Sequence, residues 1–450
     1  MLIYYLVPHK VRYICLLVIS YVFYSTVSSS FVSLLMISTL ITWVTGNLVH
    51  KAGWEHKKKL FVALGFVLNL LILMVFKYAD FALGLFAPDK SLNLMLPAGI
   101  SFYTFQSLSY IMDCYRGEVE EERNIFKYAL FVSFFPLILS GPIERSKNLL
   151  PQIDKRKTFD TDRVRDGLKL MLWGYFLKMV IVSRLAILTD LVFSDYGNMA
   201  GSQICIAVLA YTAQIYGDFA GYSSIAIGAS RILGFDIMRN FRQPYFALSV
   251  ADFWRRWHIS LSSWFRDYLY IPLGGNRKGV IKKYINVMIV FVLSGLWHGA
   301  NLTFVFWGLL NGLYQIIEAV LKNCLNGLHK TARILMTFVL ISFTWIFFRS
   351  PSIGDAFAMI KRIFTGFDMG CLLNGGLFTL GLGVKNLLFV LAALIVLFIS
   401  DVLCEKKSCD ITGLMLNTPP IVRWAVYYAL IAMVIFSSNL STQEFIYQQF

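Results

Sequence analysis

The chain has 450 residues, of which 57% are hydrophobic and 15% are charged, and its mean hydropathy is +0.64. This composition excludes an ordinary soluble globular protein and indicates a membrane protein. The formal net charge of +15 does not indicate nucleic-acid binding. Lys and Arg are scattered between apolar stretches, as is typical of the cytoplasmic loops of multi-pass proteins.

About 11–13 apolar stretches follow one another along the chain, and several reach the roughly 17–25 residues of a transmembrane helix. The clearest are 12–27, 31–49, 60–76, 94–112, 124–140, 166–183, 201–217, 219–234, 284–297, 301–320, 333–348, 386–404 and 422–438. They predict an all-α fold, a polytopic membrane helical bundle in the inner membrane. No linker divides the chain, so residues 1–450 are read as one domain.

The basic loops do not fit a simple alternation of crossings. The loops 113–123 and 144–165 both carry several Lys or Arg, and only the stretch 124–140 lies between them. Because basic loops prefer the cytoplasm, we infer that 124–140 or its predecessor enters and leaves the membrane on one side. Non-helical backbone at that depth must be buried in protein or line a cavity. The bundle is therefore predicted to contain re-entrant elements.

The seven cysteines show no spacing typical of a metal site, and the sequence predicts neither a metal nor a bound cofactor. The motifs HExxH, GxSxG and GxxxxGK[ST] are absent from the sequence. The chemistry is therefore expected to rest on the chain's own side chains.

One histidine, His298, lies inside the membrane-grade apolar segment 284–315. A charged group there costs roughly 2.5 kcal/mol or more, so intramembrane ionisable residues usually serve chemistry or transport. Histidine can also take and return a proton near neutral pH. At helical spacing Ser294 or Asn301 would orient the ring, and the flanking glycines leave room for another chain or a substrate. The alternative is a packing histidine satisfied by a neighbouring helix.

A second histidine, His258, lies in segment 253–268, which is rich in Trp, Arg and Ser. At helical spacing one side of this segment carries Trp254, Trp257, Leu261, Trp264 and Phe265. The neighbouring Arg255 and Arg256 would suit an anionic substrate such as a nucleotide or pantetheine phosphate, since guanidinium groups bind phosphate bidentately. The alternative is a simple interfacial helix with Trp and Arg at the headgroups.

A carboxylate, Asp218, lies where two apolar stretches meet. Inside the membrane it must be paired, protonated or in contact with water. The alternative is a residue at a helix end in the interface.

These residues belong to strings that resemble the membrane-bound O-acyltransferase (MBOAT) superfamily, in particular the bacterial polysaccharide branch that alginate O-acetylase typifies. The central strings are DFAGYSSIAIGASRILGF from Asp218, NFRQPYFALSVADFWRRWHISLSSWFRDYLYIPLGGNR from Asn240, and SGLWHGANLTFVFWG from Ser294. Further strings are LIYYLVPHKVR, LPAGISFYTFQSLSYIMDCYRG, FFPLILSGPIER, WGYFLKMVIVSRLA, FTWIFFRSPS and the terminal EFIYQQF.

The resemblance implies a helical bundle around a central tunnel, with His298 of the WHG motif as the catalytic histidine and His258 as a second one. It also implies that residues 1–450 form a single membrane-embedded domain of this family, with a catalytic core at about 94–320. It also implies acyl transfer from a cytoplasmic thioester donor to an extracytoplasmic acceptor. The YIPLGGNR turn favours the acetylating branch over the D-alanyl branch. The expected partners are the lipid membrane, acetyl-CoA or another acyl thioester, a polysaccharide acceptor and an extracytoplasmic SGNH-type acetyltransferase.

The predicted mechanism is acyl transfer with His298 as general base or as a transient nucleophile. His298 is expected in a narrow tunnel near mid-membrane, with His258 nearer the cytoplasmic mouth. The side chains predicted to line the site are those of Trp254, Trp257, Trp297, Ser294, Asn301 and Asp218. Two rival readings are a carrier or flippase for a lipid-linked sugar with a His/Asp proton relay, and a non-catalytic scaffold.

Overall fold

The computed structural model describes residues 2–87, 90–416 and 418–437, and every regular element in these ranges is helical. The prediction of an all-α fold is confirmed for this part of the chain. The terminal string that begins at Glu444 lies outside the described residues.

The helices up to residue 232 are α1 (Leu2–Leu6), α2 (Arg12–Ser28), α3 (Val32–Lys51), α4 (Glu55–Phe86), α5 (Ile100–Arg116), α6 (Ile125–Ser133), α7 (Ser146–Asp154), α8 (Thr161–Tyr175), α9 (Ser183–Ser194) and α10 (Gly201–Ile232). Beyond it lie α11 (Val250–Arg256), α12 (Ile259–Phe265), α13 (Val280–His298), α14 (Leu302–Val320), α15 (Lys322–Asn326), α16 (Lys330–Arg349), α17 (Ile353–Thr365), α18 (Met369–Cys371), α19 (Gly383–Lys407), α20 (Ile411–Leu416) and α21 (Pro420–Ser437). The π-helical segments are Phe176–Val182, Arg266–Tyr270 and Leu372–Gly376. The 3₁₀ turns are His9–Val11, Ser29–Phe31, Tyr196–Asn198 and Pro244–Phe246.

Eight helical stretches of the described chain are long and apolar enough to cross a membrane. They are His9–Lys51, Glu55–Gly84, Gly201–Ile232, Val280–His298, Leu302–Val320, Lys330–Arg349, Gly383–Lys407 and Pro420–Ser437. The predicted polytopic helical bundle is thereby confirmed. The central tunnel and the single domain stay predictions.

Helix α6 explains why the loop charges do not alternate. Asn124 begins the helix by accepting hydrogen bonds from the backbone N–H groups of Phe126 and Lys127. The helix contains nine residues, a length of about 14 Å, against roughly 30 Å for the hydrocarbon core. Residues 134–145 then follow without a further helix. As a helix, the stretch 124–140 is therefore too short to cross.

The contacts group the chain into two compact units. The first comprises residues 1–168, 226–239 and 266–268. In it α3 packs against α4, α5 and α6, and the buried hydroxyl of Tyr128 donates to Thr42 Oγ1 at 2.8 Å. Leu40 and Leu71 of the same helices are more than half exposed. In a membrane such apolar outer faces lie against lipid.

The second unit comprises the described residues within 169–225, 240–265 and 269–437. In it α13 packs along α14, and α14 packs against α16. Helices α9, α19 and α21 pack against the π-helical segment Phe176–Val182. The core of this unit is dense in aromatic side chains, and all the predicted site residues belong to it.

Candidate active site

His298 is the last residue of α13, and α14 begins only four residues later. Glycines allow these two helices to touch. A Cβ added to Gly295 would lie 2.2 Å from the carbonyl oxygen of Phe304, and one added to Gly308 would lie 2.3 Å from that of Phe291. Such small residues let helix backbones approach closely in membrane proteins. The room expected beside Gly295 is thus filled by α14 of the same chain.

The helical spacing that placed Asn301 beside the His298 ring is wrong, because α13 ends at His298. Asn301 instead begins α14, where its Oδ1 accepts from the N–H of Thr303 at 3.0 Å and its Nδ2 donates to the carbonyl oxygen of Pro351 at 2.8 Å. Its side chain therefore holds the turn after His298. Ser294 lies one turn before His298 on α13 and is buried.

Three aromatic rings enclose His298, which is 3% exposed. The ring centroids of Trp297, Trp307 and Phe348 lie 5.0, 5.1 and 5.2 Å from that of the imidazole, each at a steep angle. We call these three rings the aromatic box. Trp297 also lies 5.9 Å from the ring of His258. One indole therefore contacts both histidines that the sequence singled out.

His258 lies at a break between two helices and not on one continuous helix. Helix α11 ends at Arg256 and α12 begins at Ile259. His258 has a φ of +43°, a left-handed conformation that is uncommon for residues other than glycine. Such conformations persist where the surrounding structure enforces them, often at functional sites. The predicted single helical face through 253–268 is wrong for this reason.

The backbone of residues 240–242 holds this break open. The N–H of Arg242 donates to the carbonyl oxygen of Arg256, and the N–H of Ile259 donates to that of Asn240, both at 3.0 Å. These bonds satisfy backbone groups that a continuous helix would have paired internally. The break is therefore built in by a segment well upstream in the chain.

Asn240 is a site residue that the sequence interpretation missed. Its buried Oδ1 accepts from Ser260 Oγ at 2.6 Å, and its Nδ2 donates to Ser223 Oγ at 3.0 Å. One amide thus joins α10, the 240–242 segment and the start of α12 beneath His258. The signal was an amide in an otherwise apolar string, which a search for ionisable groups passes over.

The imidazole of His258 is buried against the ring of Phe219 at 4.5 Å. This burial lowers the pKa of His258 well below its ordinary value of 6.5. The ring is therefore neutral at physiological pH.

The two arginines beside His258 are in different situations. Arg256 forms ion pairs with Asp252 at 3.1 Å and with Glu405 at 2.8 Å, and its side chain is 11% exposed. Arg255 is 70% exposed and lies 3.7 Å from Asp252. Arg256 already has two carboxylate partners, so the structure does not support it as a phosphate ligand. Arg255 retains the exposed cation that such a role requires.

The tryptophans of α11 and its end form the layer behind the aromatic box. The Nε1–H of Trp254 donates to Asn311 Oδ1 at 3.1 Å, and its ring packs against Trp307 at 5.4 Å. Trp257 packs against Trp345 at 5.2 Å. Both side chains are buried. They connect the break at His258 with the box around His298.

Asp218 lies within the continuous helix α10, so the alternative of a helix end at this position is wrong. Its carboxylate forms a buried ion pair with Lys178. Lys178 belongs to the π-helical segment, a geometry frequent at functional sites, and its Nζ lies 4.8 Å from the ring centroid of Tyr222. Pairing was one of the three states expected for Asp218, but its partner was not foreseen.

A half-open apolar cavity of about 310 Å³ lies in the same unit. It is lined by α10, α16 and α19 and by the turn around Tyr245, and its polar lining includes Asp401. Tyr216 and Tyr245 line it and also pack against Trp257, at 6.2 and 6.0 Å. The rings of Tyr216 and Tyr245 thus lie between the cavity and Trp257, the residue that precedes His258.

The described part of the chain is thus a multi-pass helical fold in which two buried histidines share an aromatic contact. The chain belongs to the MBOAT, membrane-bound O-acyltransferase family, whose sequence profile matches residues 18–352. It is thus a multi-pass membrane acyltransferase.

Three relatives represent the similarity. The probable alginate O-acetylase AlgI of Pseudomonas syringae pv. tomato is 40% identical over 375 residues, covering 81% of this chain and 72% of that protein. The peptidoglycan O-acetyltransferase of Helicobacter pylori is 34% identical over 381 residues, covering 77% and 72%. The teichoic acid D-alanyltransferase of Bacillus subtilis is 30% identical over 249 residues, covering 53% and 61%.

Proposed function

We propose that the protein transfers an acyl group, in particular acetyl, from a cytoplasmic thioester across the inner membrane for O-acetylation of a cell-surface or exported polysaccharide. The observation that carries this proposal is the enclosure of His298 by the aromatic box at a helix end, with Trp297 linking it to His258. Two relatives whose names specify O-acetylation, at 40% and 34% identity, support the choice of acetyl over D-alanyl.

In the proposed mechanism His298 acts as general base. Its imidazole takes the proton of the acceptor hydroxyl as the hydroxyl oxygen attacks the thioester carbonyl carbon, an assistance typically worth about 10²–10⁴-fold in rate. The imidazolium then returns the proton to the departing thiolate. In the alternative, His298 acts as a nucleophile: it is transiently acylated and then passes the acyl group to the acceptor hydroxyl.

The donor is proposed to be acetyl-CoA or another acyl thioester, and Arg255 is the exposed cation proposed to meet its phosphate groups. The acceptor is proposed to be the hydroxyl of a polysaccharide, or of an extracytoplasmic SGNH-type acetyltransferase that completes the transfer. His258, neutral and buried, is proposed to position the acyl end of the donor near Trp297. The tryptophans behind the box are proposed to wall the path between the two histidines.

The carrier reading needs an intramembrane carboxylate that exchanges protons with histidine. Asp218 instead forms a buried ion pair with Lys178, and a carboxylate stabilised by a cation is a poor proton carrier. This contact disfavours the carrier. A scaffold would transfer nothing, so measurement of turnover separates it from an acyltransferase.

The test uses a strain in which the chromosomal copy is deleted and replaced by wild-type or His298→Ala protein. The ester-linked acetate of the exported glycan is quantified per amount of membrane-inserted protein. His298→Ala is expected to reduce it to the level of the deletion strain, with normal insertion of the protein. Wild-type acetate in the His298→Ala strain would refute the assignment.

A further inference from the structure

Two indole N–H groups next to the proposed site are buried without an acceptor. Among the residues that the structure describes, the Nε1 atoms of Trp307 and Trp345 have no hydrogen-bond partner, although the side chains are 0% and 1% exposed. A buried donor left unpaired costs about 1–3 kcal/mol, and buried tryptophans usually find an acceptor. Unpaired groups of this kind call for an explanation, of which a catalytic role is one.

The neighbouring Trp254 shows that the fold supplies acceptors in this layer. Its Nε1–H donates to Asn311 Oδ1 at 3.1 Å, and Asn311 in turn donates to the carbonyl oxygen of Trp307 at 2.9 Å. An amide therefore stands next to the backbone of Trp307 but serves the indole of Trp254. The donor of Trp307 is left for another acceptor.

The position of Trp307 indicates what that acceptor is. Its ring lies 5.1 Å from the His298 imidazole at an interplanar angle of 89°. Its other ring neighbours are Trp254, Trp345 and Phe348, at 5.4, 5.9 and 5.2 Å. An acceptor carried by the reacting substrate fits this donor.

We propose that Trp307 is a further catalytic residue, whose Nε1–H donates to the carbonyl oxygen of the acyl group during transfer at His298. This assignment rests on the proposed acyltransferase function. The acceptor hydroxyl oxygen bonds to the carbonyl carbon as its proton passes to His298, and the π electron pair moves onto the carbonyl oxygen. When that pair returns, the C–S bond breaks, and the thiolate sulfur takes the proton from the imidazolium.

The indole is suited to this position. Its hydrogen bond is strongest while the carbonyl oxygen is an anion, which is how an oxyanion-hole donor lowers the barrier. An indole nitrogen only donates, so Trp307 cannot remove the acceptor's proton or compete with it as a nucleophile.

The test compares Trp307→Phe with Trp345→Phe. Both changes remove an unpaired N–H from a buried indole and keep an aromatic ring. Trp307 contacts the His298 ring, whereas Trp345 packs one ring further away, against Trp257, Trp307 and Phe348. Trp345→Phe is therefore the matched control for burial and ring size.

The deletion strain carrying each variant receives a pulse of [¹⁴C]acetate, which labels every acetyl thioester. The initial rate of label entering ester-linked glycan is measured per inserted protein, and the purified variants are melted in detergent. Trp307→Phe should lower the rate by about 10²–10³-fold, the loss typical of one oxyanion-hole donor. Its melting temperature should fall no further than that of Trp345→Phe, because both changes remove an unpaired donor and leave a cavity of similar size. Trp345→Phe should keep the rate within about threefold of wild type, because its N–H lies outside the contact layer of His298.

Equal rates for the two variants would overturn the role of Trp307. If Trp307→Phe fails to insert, Trp307 is replaced by 3-benzothienylalanine, which has sulfur in place of N–H in a ring of the same shape. The same loss is expected, and a wild-type rate would again refute the proposal. His298→Ala in the same series separates the two claims. Wild-type activity in His298→Ala would refute the proposed acyltransferase mechanism. Wild-type activity in the Trp307 variant, with none in His298→Ala, would refute only the role of the Trp307 N–H.

Discussion

The surroundings of the two histidines differ in how the backbone that carries each imidazole is held. His298 lies at a helix end against three aromatic rings. His258 lies at a backbone break with a left-handed φ, above the hydrogen bonds of Asn240 and close in sequence to the ion pairs of Arg256. A ring-lined pocket excludes water and strengthens the electrostatics of a reaction, whereas a network of polar bonds fixes geometry. We therefore assign chemistry to the first region and positioning to the second.

The sharpest way to break this comparison is to remove each imidazole in turn. His298→Ala should abolish transfer. His258→Ala should lower the transfer rate about 10–100-fold and leave measurable activity. A positioning residue supports the reaction without taking part in its proton transfers. The measurement is the initial rate of [¹⁴C]acetyl transfer at equal amounts of inserted protein. Complete loss in both variants would show that the two histidines share the chemistry.

Substitution of Asn240 tests whether His258 needs the break between α11 and α12 to support transfer. Asn240→Ala removes the acceptor of Ser260 Oγ and the donor to Ser223 Oγ, and it should lower the free energy of unfolding by about 1–3 kcal/mol. Transfer should fall about tenfold with the apparent KM for the donor raised, since His258 loses its support. Ser263→Ala, one turn after Ser260 on α12, is the control. Normal kinetics in a destabilised Asn240→Ala protein would reduce this residue to a packing role.

The sequence predicted the helical class and the multi-pass bundle, because long apolar stretches are local signals. It also singled out the two histidines, since intramembrane ionisable groups are local signals too, and their roles stay predictions. It did not predict the break before His258. Helical periodicity extends through 253–268, and the bonds that interrupt it come from residues 240–242. The partner of Asp218 was missed for the same reason, since Lys178 lies forty positions away in sequence. A helix end was the alternative for Asp218, because two apolar stretches meet there, but α10 runs through this position and Lys178 pairs with the carboxylate.

Substitutions of the two arginines beside His258 should affect different properties, donor binding for Arg255 and stability for Arg256. Arg255→Ala should raise the apparent KM for the donor several-fold with kcat unchanged, as expected for a phosphate contact remote from the carbonyl. Arg256→Ala should instead lower the free energy of unfolding by about 1–3 kcal/mol, because it leaves Asp252 and Glu405 without their shared cation. Donor kinetics and melting of the purified variants test both. A KM effect for Arg256→Ala with normal melting would restore the two-arginine clamp.

The smallest expected effect concerns pH. Burial depresses the pKa of His258 below 6.5, so the unfolded chain binds this proton more readily than the folded one. The folded state should therefore lose stability as pH falls below about 6.5, the ordinary histidine value. His258→Asn, which tolerates a positive φ, should remove this part of the acid slope of the melting temperature between pH 7 and pH 5. An unchanged slope would mean that other groups cause it.

Inverted membrane vesicles from the deletion strain provide the most direct test, because they expose the cytoplasmic face and retain any partner proteins. Vesicles containing equal amounts of wild-type or His298→Ala protein receive [¹⁴C]acetyl-CoA, and ester-linked label on the enclosed glycan is followed with time. The account predicts label in wild-type vesicles and none above the deletion background with His298→Ala, while Trp424→Phe, an exposed residue, behaves as wild type. Equal labelling by wild-type and His298→Ala vesicles would contradict the central claim that His298 carries the transfer.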